Sequence, residues 1–224
     1  MQPGAVMVFA AGFGTRMGAL TADRPKPLIA VAGRTLLDHA LDLTEGFGPV
    51  VVNTHYRADQ IARHLDGRGI ALSHEPLILD TGGGLRAALP LLGAGPVFTL
   101  NSDAVWTGAN PLRQLAGAWD AARMEALLLL APVERATGHG AAGDFTLGAD
   151  GRIARRGGMV YLGAQIIDPR LVGDIPDAVF SLNRAWDRAM ARGTAFGTVH
   201  DGGWCDVGRP EGIALAETLL ERGA

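Results

Sequence analysis

Short apolar runs alternate with stretches of helical period along the first half of the chain. Ala5–Ala10 reads as a strand that runs into the glycine-rich stretch Gly12–Gly18. Leu36–Leu43 reads as a helix, with Leu36, Leu37, Ala40, Leu41 and Leu43 giving it a broad apolar face. Pro49–Asn53 predicts a second buried strand, followed by a helical stretch carrying Ile61, Ala62 and Leu65. Ile70–Ser73 predicts a short third strand. The triplet Gly82-Gly83-Gly84 opens another helical pattern over Leu85–Leu92, and Val97–Leu100 predicts a fourth strand ending at Asn101-Ser102-Asp103. This βαβαβαβ rhythm predicts a Rossmann-like α/β fold, a mostly parallel sheet with helices on both faces. Ligands of such sheets bind beyond the carboxyl ends of the strands, where the glycine-rich stretch and Asn101–Asp103 both lie.

After Pro132 the rhythm changes. Asp144–Leu147, Arg152–Arg155 and Met159–Ile167 predict strands, the first two joined by an Ala149-Asp150-Gly151 turn. They read as a small, partly antiparallel lobe. Ser181–Ala191 predicts a helix capped by Ser181, Ala195–His200 a strand, and Pro210–Arg222 a closing helix with Glu211 and Arg222 at the ends its dipole favours. No repeat and no long linker divides the chain. The expected organisation is one domain over 1–224, with a first part over 1–131 and a smaller lobe with the closing helices over 132–224.

Composition narrows the function classes. Apolar residues make up 48% and charged residues 19% of the 224, which fits a packed domain. A formal net charge of −3 excludes a general electrostatic grip on nucleic acid or anionic membrane. The single cysteine, Cys205, excludes an internal disulfide and a Cys-based zinc site. The first residues lack a signal-peptide pattern, and the longest apolar run, Ala126–Val133, is too short to cross a bilayer. The expectation is a cytoplasmic protein. Lysine plus arginine number 20, yet Lys26 is the only lysine. The arginine excess reads as composition bias; the place of the lone lysine does not.

The stretch Ala10–Gly18 would let backbone N–H groups approach an anion closely. It is neither a phosphate loop, since no Gly-Lys-Ser/Thr closes it, nor a dinucleotide fingerprint, since Met17 fills the third glycine position. Alone, a glycine-rich turn after a strand is more often just a turn. Arg16 lies inside it, and Arg24-Pro25-Lys26-Pro27-Leu28 follows, where two prolines fix the direction of Lys26. A compact ammonium suits one phosphate and a planar guanidinium suits bidentate phosphate binding.

Gly12-Phe13-Gly14-Thr15-Arg16-Met17 followed by Pro25-Lys26-Pro27-Leu28 resembles the signature of the sugar-1-phosphate nucleotidylyltransferases. The likeness extends over nearly the whole chain. Glu75-Pro76, Thr81–Gly84, Asn101–Asp103, Gly143-Asp144-Phe145 and Trp204–Gly208 are most similar to members acting on N-acetylmuramate 1-phosphate in cell-wall recycling. The resemblance implies a nucleotide-diphospho-sugar transferase fold, with Ala11, Gly12, Phe13 and Gly14 meeting the nucleotide. It places Arg16 on the β- and γ-phosphates, Lys26 beside the reacting phosphates, and Gly82 or Gly83 against the base. Asn101 and Asp144 would contact the sugar phosphate, and Asp103 and Asp206 would share a Mg²⁺. Arg16, Lys26 and Asp103 are thus the implied catalytic residues. The chain departs from the pattern at Ser102, where glycine is usual, and at Cys205.

The chemistry agrees. The second pKa of a phosphate monoester is about 6, so a sugar 1-phosphate is largely dianionic near neutrality and needs little help from a base. The site must hold two mutually repelling anions and neutralise developing charge. Each aspartate alone is as readily a turn residue; as a pair matching one pattern they favour Mg²⁺, which takes oxygen ligands. The implied reaction is transfer of UMP from UTP to N-acetylmuramate 1-phosphate by a monomer or weak homo-oligomer whose partners are these small molecules. The alternatives are another hexose 1-phosphate with another nucleotide, and a non-catalytic nucleotide-sugar sensor. The histidines show no H-E-x-x-H spacing, and Trp204 and Cys205 read as packing residues. Arg155-Arg156 reads as a solvated hairpin charge or as a contact for a sugar carboxylate.

Overall fold

The computed structural model of the chain describes residues 1–140 and 142–223. The first strand, β1 (Val6–Phe9), is followed by the short hairpin of β2 (Ala30–Val31) and β3 (Arg34–Thr35), which leads into α1 (Leu36–Asp42). The predicted alternation then appears as β4 (Val50–Thr54), α2 (Ala58–Leu65), β5 (Ala71–His74), α3 (Asp80–Leu92) and β6 (Val97–Asn101). Next come β7 (Ala104–Trp106), α4 (Pro111–Ala118), β8 (Ala126–Pro132) and β9 (Ala136–Thr137). The rest comprises β10 (Phe145–Leu147), β11 (Ile153–Arg155), β12 (Met159–Ile167), α5 (Arg170–Gly173), α6 (Asn183–Ala191), β13 (Ala195–Val199), β14 (Trp204–Asp206) and α7 (Glu211–Gly223).

Nine of these strands form one mixed sheet. β5, β4, β1 and β6 lie side by side and parallel. β12 follows antiparallel to β6, β8 antiparallel to β12, and β13 parallel to β8. The β10–β11 hairpin joins the start of β12 through the Phe145 and Met159 pair. A separate small sheet runs β7, β14, β9. The expected division at 131/132 does not part the main sheet, because β12 from the later half sits between β6 and β8. Strand order depends on long-range pairing, which the alternation of residue types does not encode.

Alternate strand residues feed two cores, one on each face. Val6, Val8, Leu127 and Leu129 pack with Leu37, Ile61 and Leu112 of α1, α2 and α4. Met7, Leu128 and Leu130 pack with Leu85, Leu171 and Trp186 of α3, α5 and α6. The apolar run at Ala126 is therefore a strand covered on both sides, the setting in which alternation disappears. The predicted cap moves by one residue: Leu182 precedes α6, and the Ser181 hydroxyl accepts the Asn183 N–H at 3.2 Å. Among the described residues no helix is long and apolar enough to cross a membrane.

Thr35 caps α1. Its hydroxyl oxygen accepts the Asp38 N–H at 3.1 Å and its O–H donates to Asp38 Oδ2 at 2.6 Å. Arg68 and His64 reach the same carboxylate at 2.6 and 3.0 Å. Burial alone would push the Asp38 carboxyl up, but the Thr35 hydroxyl, Arg68 and His64 outweigh it and hold its pKa at about 2. A depressed carboxyl stabilises the fold above its unfolded value and loses that contribution as the pH falls through the folded value. Asp38→Asn should therefore lower unfolding stability by about 1–2 kcal/mol at neutral pH. In denaturant titrations the gap should narrow as the pH falls from about 4 towards 2. A gap independent of pH would contradict the ion-pair account.

Candidate active site

β1 and β6 end side by side, with Phe9 opposite Asn101. The glycine-rich loop and Asn101–Asp103 consequently leave the sheet at the same edge. They border a cleft of about 560 Å³, together with Arg16, Lys26, Asn53, Glu75, Asp80, Thr81 and Gly208. The sequence-predicted residues Ala11, Gly12, Gly14, Arg16, Lys26, Asn101 and Asp103 all line it.

The loop turns at Gly14, whose φ of 66° lies in the left-handed region that glycine enters without strain. A Cβ there would stand 2.8 Å from the Lys26 Cβ, so the lysine stem passes directly beneath the loop. Lys26 is only 8% exposed, and its ammonium donates to Asp103 Oδ2 at 2.8 Å. The two residues assigned separately to phosphate and metal are thus each other's counter-ions in this structure. Asp206 is brought alongside by the antiparallel pairing of β14 with β7, in which Ala104 faces Asp206 and the Val207 N–H donates to the Asp103 carbonyl at 2.8 Å. Burial raises the Asp206 pKa, and the neighbouring Asp103 charge raises it further. Lys26, Arg16 and His139 offset this only in part.

A small apolar cluster locks this charged group in place. Met17, Ile29, Val105, Cys205 and Val207 share it with Ala216 of α7. The first five lie within three residues of Arg16, Lys26, Asp103 or Asp206, so one core anchors all four stems. Cys205 is fully buried there, as expected of a packing residue. The Ser102 hydroxyl donates to the Phe9 carbonyl at 2.6 Å, tying the two strand ends together instead of facing a metal.

Three expectations change. Gly82 and Gly83 do not line the cleft: a Cβ on the first would strike Phe180 and on the second the Ala178 carbonyl, so the 178–180 segment packs where their side chains would stand. Phe13 is 50% exposed and packs against His55 and Tyr56, with ring centroids 5.3 and 6.0 Å away, bordering a shallower hollow beside the loop. Asp144 also lies off the cleft, its Oδ2 accepting the Tyr161 N–H at 2.9 Å. Of Arg155-Arg156, Arg155 pairs with Asp187 at 2.9 Å and stacks over Phe145 and Trp186.

Residues 6–145 match the MobA-like NTP transferase domain. The chain belongs to this family. The N-acetylmuramate alpha-1-phosphate uridylyltransferase of Caulobacter vibrioides is 41% identical over 97% of each chain. The protein of the same name from Neisseria meningitidis serogroup B is 33% identical over 95% of this chain and 96% of its own. The crystal structure of HddC from Yersinia pseudotuberculosis complexed with GMP-PN shares the fold at a TM-score of 0.76. It is 21% identical, with 97% of this chain and 99% of that one covered. The protein is accordingly a sugar-1-phosphate nucleotidyltransferase.

Other residues of the transferase cleft carry weaker sequence signals. Asn53 and Glu75 are 4% and 1% exposed, and both line it. For Asn53 the signal is a polar residue near the end of the buried strand β4, and for Glu75 it is the Glu75-Pro76 string that follows the edge strand β5. Gly163 supports Asn101: its φ is 84°, and a Cβ there would stand 2.8–2.9 Å from the Asn101 side chain. The pairing of β12 with β8 shifts register across this point. A glycine inside a strand-like run is the signal for such a bulge.

Among the described residues no group of three or more His, Cys, Asp or Glu side chains could hold a metal ion. Two carboxylates with one buried ammonium nevertheless fit a hard dication that keeps waters and phosphate oxygens as its other ligands. The Asp206 pKa is raised chiefly by burial and further by the Asp103 charge, both of which a bound cation would offset.

Proposed function

We propose that the protein transfers UMP from UTP to N-acetylmuramate 1-phosphate in the cytoplasm, giving UDP-N-acetylmuramate and pyrophosphate for cell-wall recycling. The observation that carries the reaction type is the gathering of Arg16, Lys26 and Asp103 on the wall of the strand-end cleft, with Asp206 close enough to feel the charge of all three. Support for base and sugar comes from the relative that is 41% identical over 97% of both chains.

A phosphate oxygen of the sugar 1-phosphate attacks the α-phosphorus, and the bond from that phosphorus to the bridging oxygen of pyrophosphate breaks. The backbone of Ala11, Gly12 and Gly14 approaches the triphosphate, which no side chain crowds at the glycines. Arg16 pairs with the departing phosphates in two-point fashion. Lys26 offers a compact charge beside the reacting phosphates, preorganised by Asp103. Asp103 and Asp206 would hold Mg²⁺, which would supply neutralisation of the phosphate charge. On the sugar side Asn101, which lines the cleft, meets the sugar phosphate. No protein base is needed, because the attacking phosphate is already ionised near pH 7.

The test is a grid of nucleoside triphosphates against sugar 1-phosphates, with pyrophosphate release as the readout. Release should be fastest for UTP with N-acetylmuramate 1-phosphate and should stop on chelation of the metal. Faster release with another pair would overturn the substrate assignment, and no release with any pair would overturn the reaction.

A further inference from the structure

A buried carboxylate on the wall of the cleft has no cationic partner among the described residues, although burying an unpaired charge is expensive. Glu75 is 1% exposed. Its Oε1 accepts from Asn53 Nδ2 at 2.7 Å and its Oε2 accepts the Leu79 N–H at 2.9 Å. Asn53 in turn accepts the Ala10 N–H through Oδ1 at 2.6 Å. The chain of bonds has one polarity. Ala10 and Leu79 both donate inward, so the amide must turn its oxygen to Ala10 and its nitrogen to the carboxylate.

The relay joins two segments of the cleft that are far apart in sequence. Ala10 begins the glycine-rich loop, while Leu79 precedes α3 and adjoins the cleft residues Ile78, Asp80 and Thr81. Space for the relay is reserved by Gly84. A Cβ there would stand 2.6 Å from Glu75 Oε1 and 3.1 Å from Asn53 Nδ2. The third glycine of the triplet thus serves the carboxylate, whereas the first two serve the 178–180 segment.

We propose that Asn53 and Glu75 are positioning residues that set the spacing between the glycine-rich loop and the 78–81 segment, and so set affinity for the nucleoside triphosphate. This rests on the reading of the cleft as a nucleotide site. Neither side chain enters the chemistry.

The polarity provides the test. Glu75→Gln replaces one of two required acceptors by a donor, and turning the Asn53 amide only transfers the mismatch to Ala10. Asn53→Asp sets two carboxylates against each other. The double variant N53D/E75Q reverses the middle of the relay: the introduced carboxylate accepts from Ala10 and from the introduced amide, whose oxygen accepts from Leu79. Net charge is conserved.

Titration of the full-length protein with UTP should show binding weakened about tenfold or more in each single variant. It should return to within about threefold of wild type in the double variant. The KM for UTP should follow the same pattern, while the KM for the sugar phosphate stays within about twofold. Single variants that bind UTP as wild type does, or a double variant no better than either, would overturn the proposal. So would a fall in melting temperature with unchanged UTP affinity, which is the mark of a purely structural role. Should a single variant fail to fold, a double variant that folds and binds UTP supports the relay, and one that does not overturns it. If the wild type binds none of a panel of nucleoside triphosphates, the nucleotide reading falls and the relay with it; if it binds and the variants match it, only the relay falls.

Discussion

Lys26→Arg should lower turnover by about two to three orders of magnitude while the protein keeps its fold. The lysine stem is held between Pro25 and Pro27 and under Gly14, whose absent Cβ would lie 2.8 Å from the Lys26 Cβ and 3.0 Å from the Thr21 Cγ2. That channel suits a narrow aliphatic stem with a compact head. A guanidinium at its end is wider and pairs with a carboxylate through two parallel bonds. It would take both oxygens of Asp103, where the ammonium takes Oδ2 alone at 2.8 Å. The substitution thus keeps a positive charge, so the fold should survive, but it removes the carboxylate oxygen available to a metal and crowds the phosphate position. The expected readout is a low kcat at saturating substrates with a melting temperature within a few degrees of wild type. A variant turning over at the wild-type rate would show that Lys26 is only a counter-ion for Asp103.

What was legible in the sequence, and what was not, divides along a physical line. The loop with Gly14 and Arg16, the Pro25-Lys26-Pro27 segment and the strand-end Asp103 were legible because each is a local pattern of conformational restriction and charge. The alternation from β1 to β6 was legible for the same reason: it reflects burial of successive local elements. The insertion of β12 between β6 and β8 was not, since an antiparallel strand buried on both faces carries no mark of its neighbours. Glycines show the limit most clearly. Sequence announces that a side chain is missing at Gly82, Gly83, Gly84 and Gly163. It does not say whether a base, Phe180, Glu75 or Asn101 takes the space. Asn53 and Glu75 met only through the pairing of β4 with β5 and the return of the chain into α3, a contact across 22 positions.

Asp103→Asn and Asp206→Asn should both cut turnover by about two to three orders of magnitude, yet move stability in opposite directions. Asp103 neutralises Lys26, whose side chain is 10% exposed against 32% for the carboxylate. Removing that charge strands a buried ammonium. In chelator at pH 7 the variant should lose about 1–2 kcal/mol, less than a fully buried pair because Asp103 is partly solvated. Asp206 is the reverse case. Burial and the Asp103 charge raise its pKa, so its ionised form destabilises the metal-free fold, and that penalty fades as the pH falls to where the group is protonated. Replacing it by asparagine should therefore raise the melting temperature in chelator by about 2–4 °C. Added magnesium should then stabilise the wild type and leave the Asp206 variant unmoved, because ligand binding to the folded state is what produces the shift. Retained Mg²⁺-dependent turnover in both variants would remove them from the metal site. A loss of stability in Asp206→Asn equal to that in Asp103→Asn would show instead that the two carboxylates are ordinary structural charges. Opposite signs of stability with a shared loss of activity are what a site gives when it stores uncompensated negative charge for a cation that arrives with the substrate.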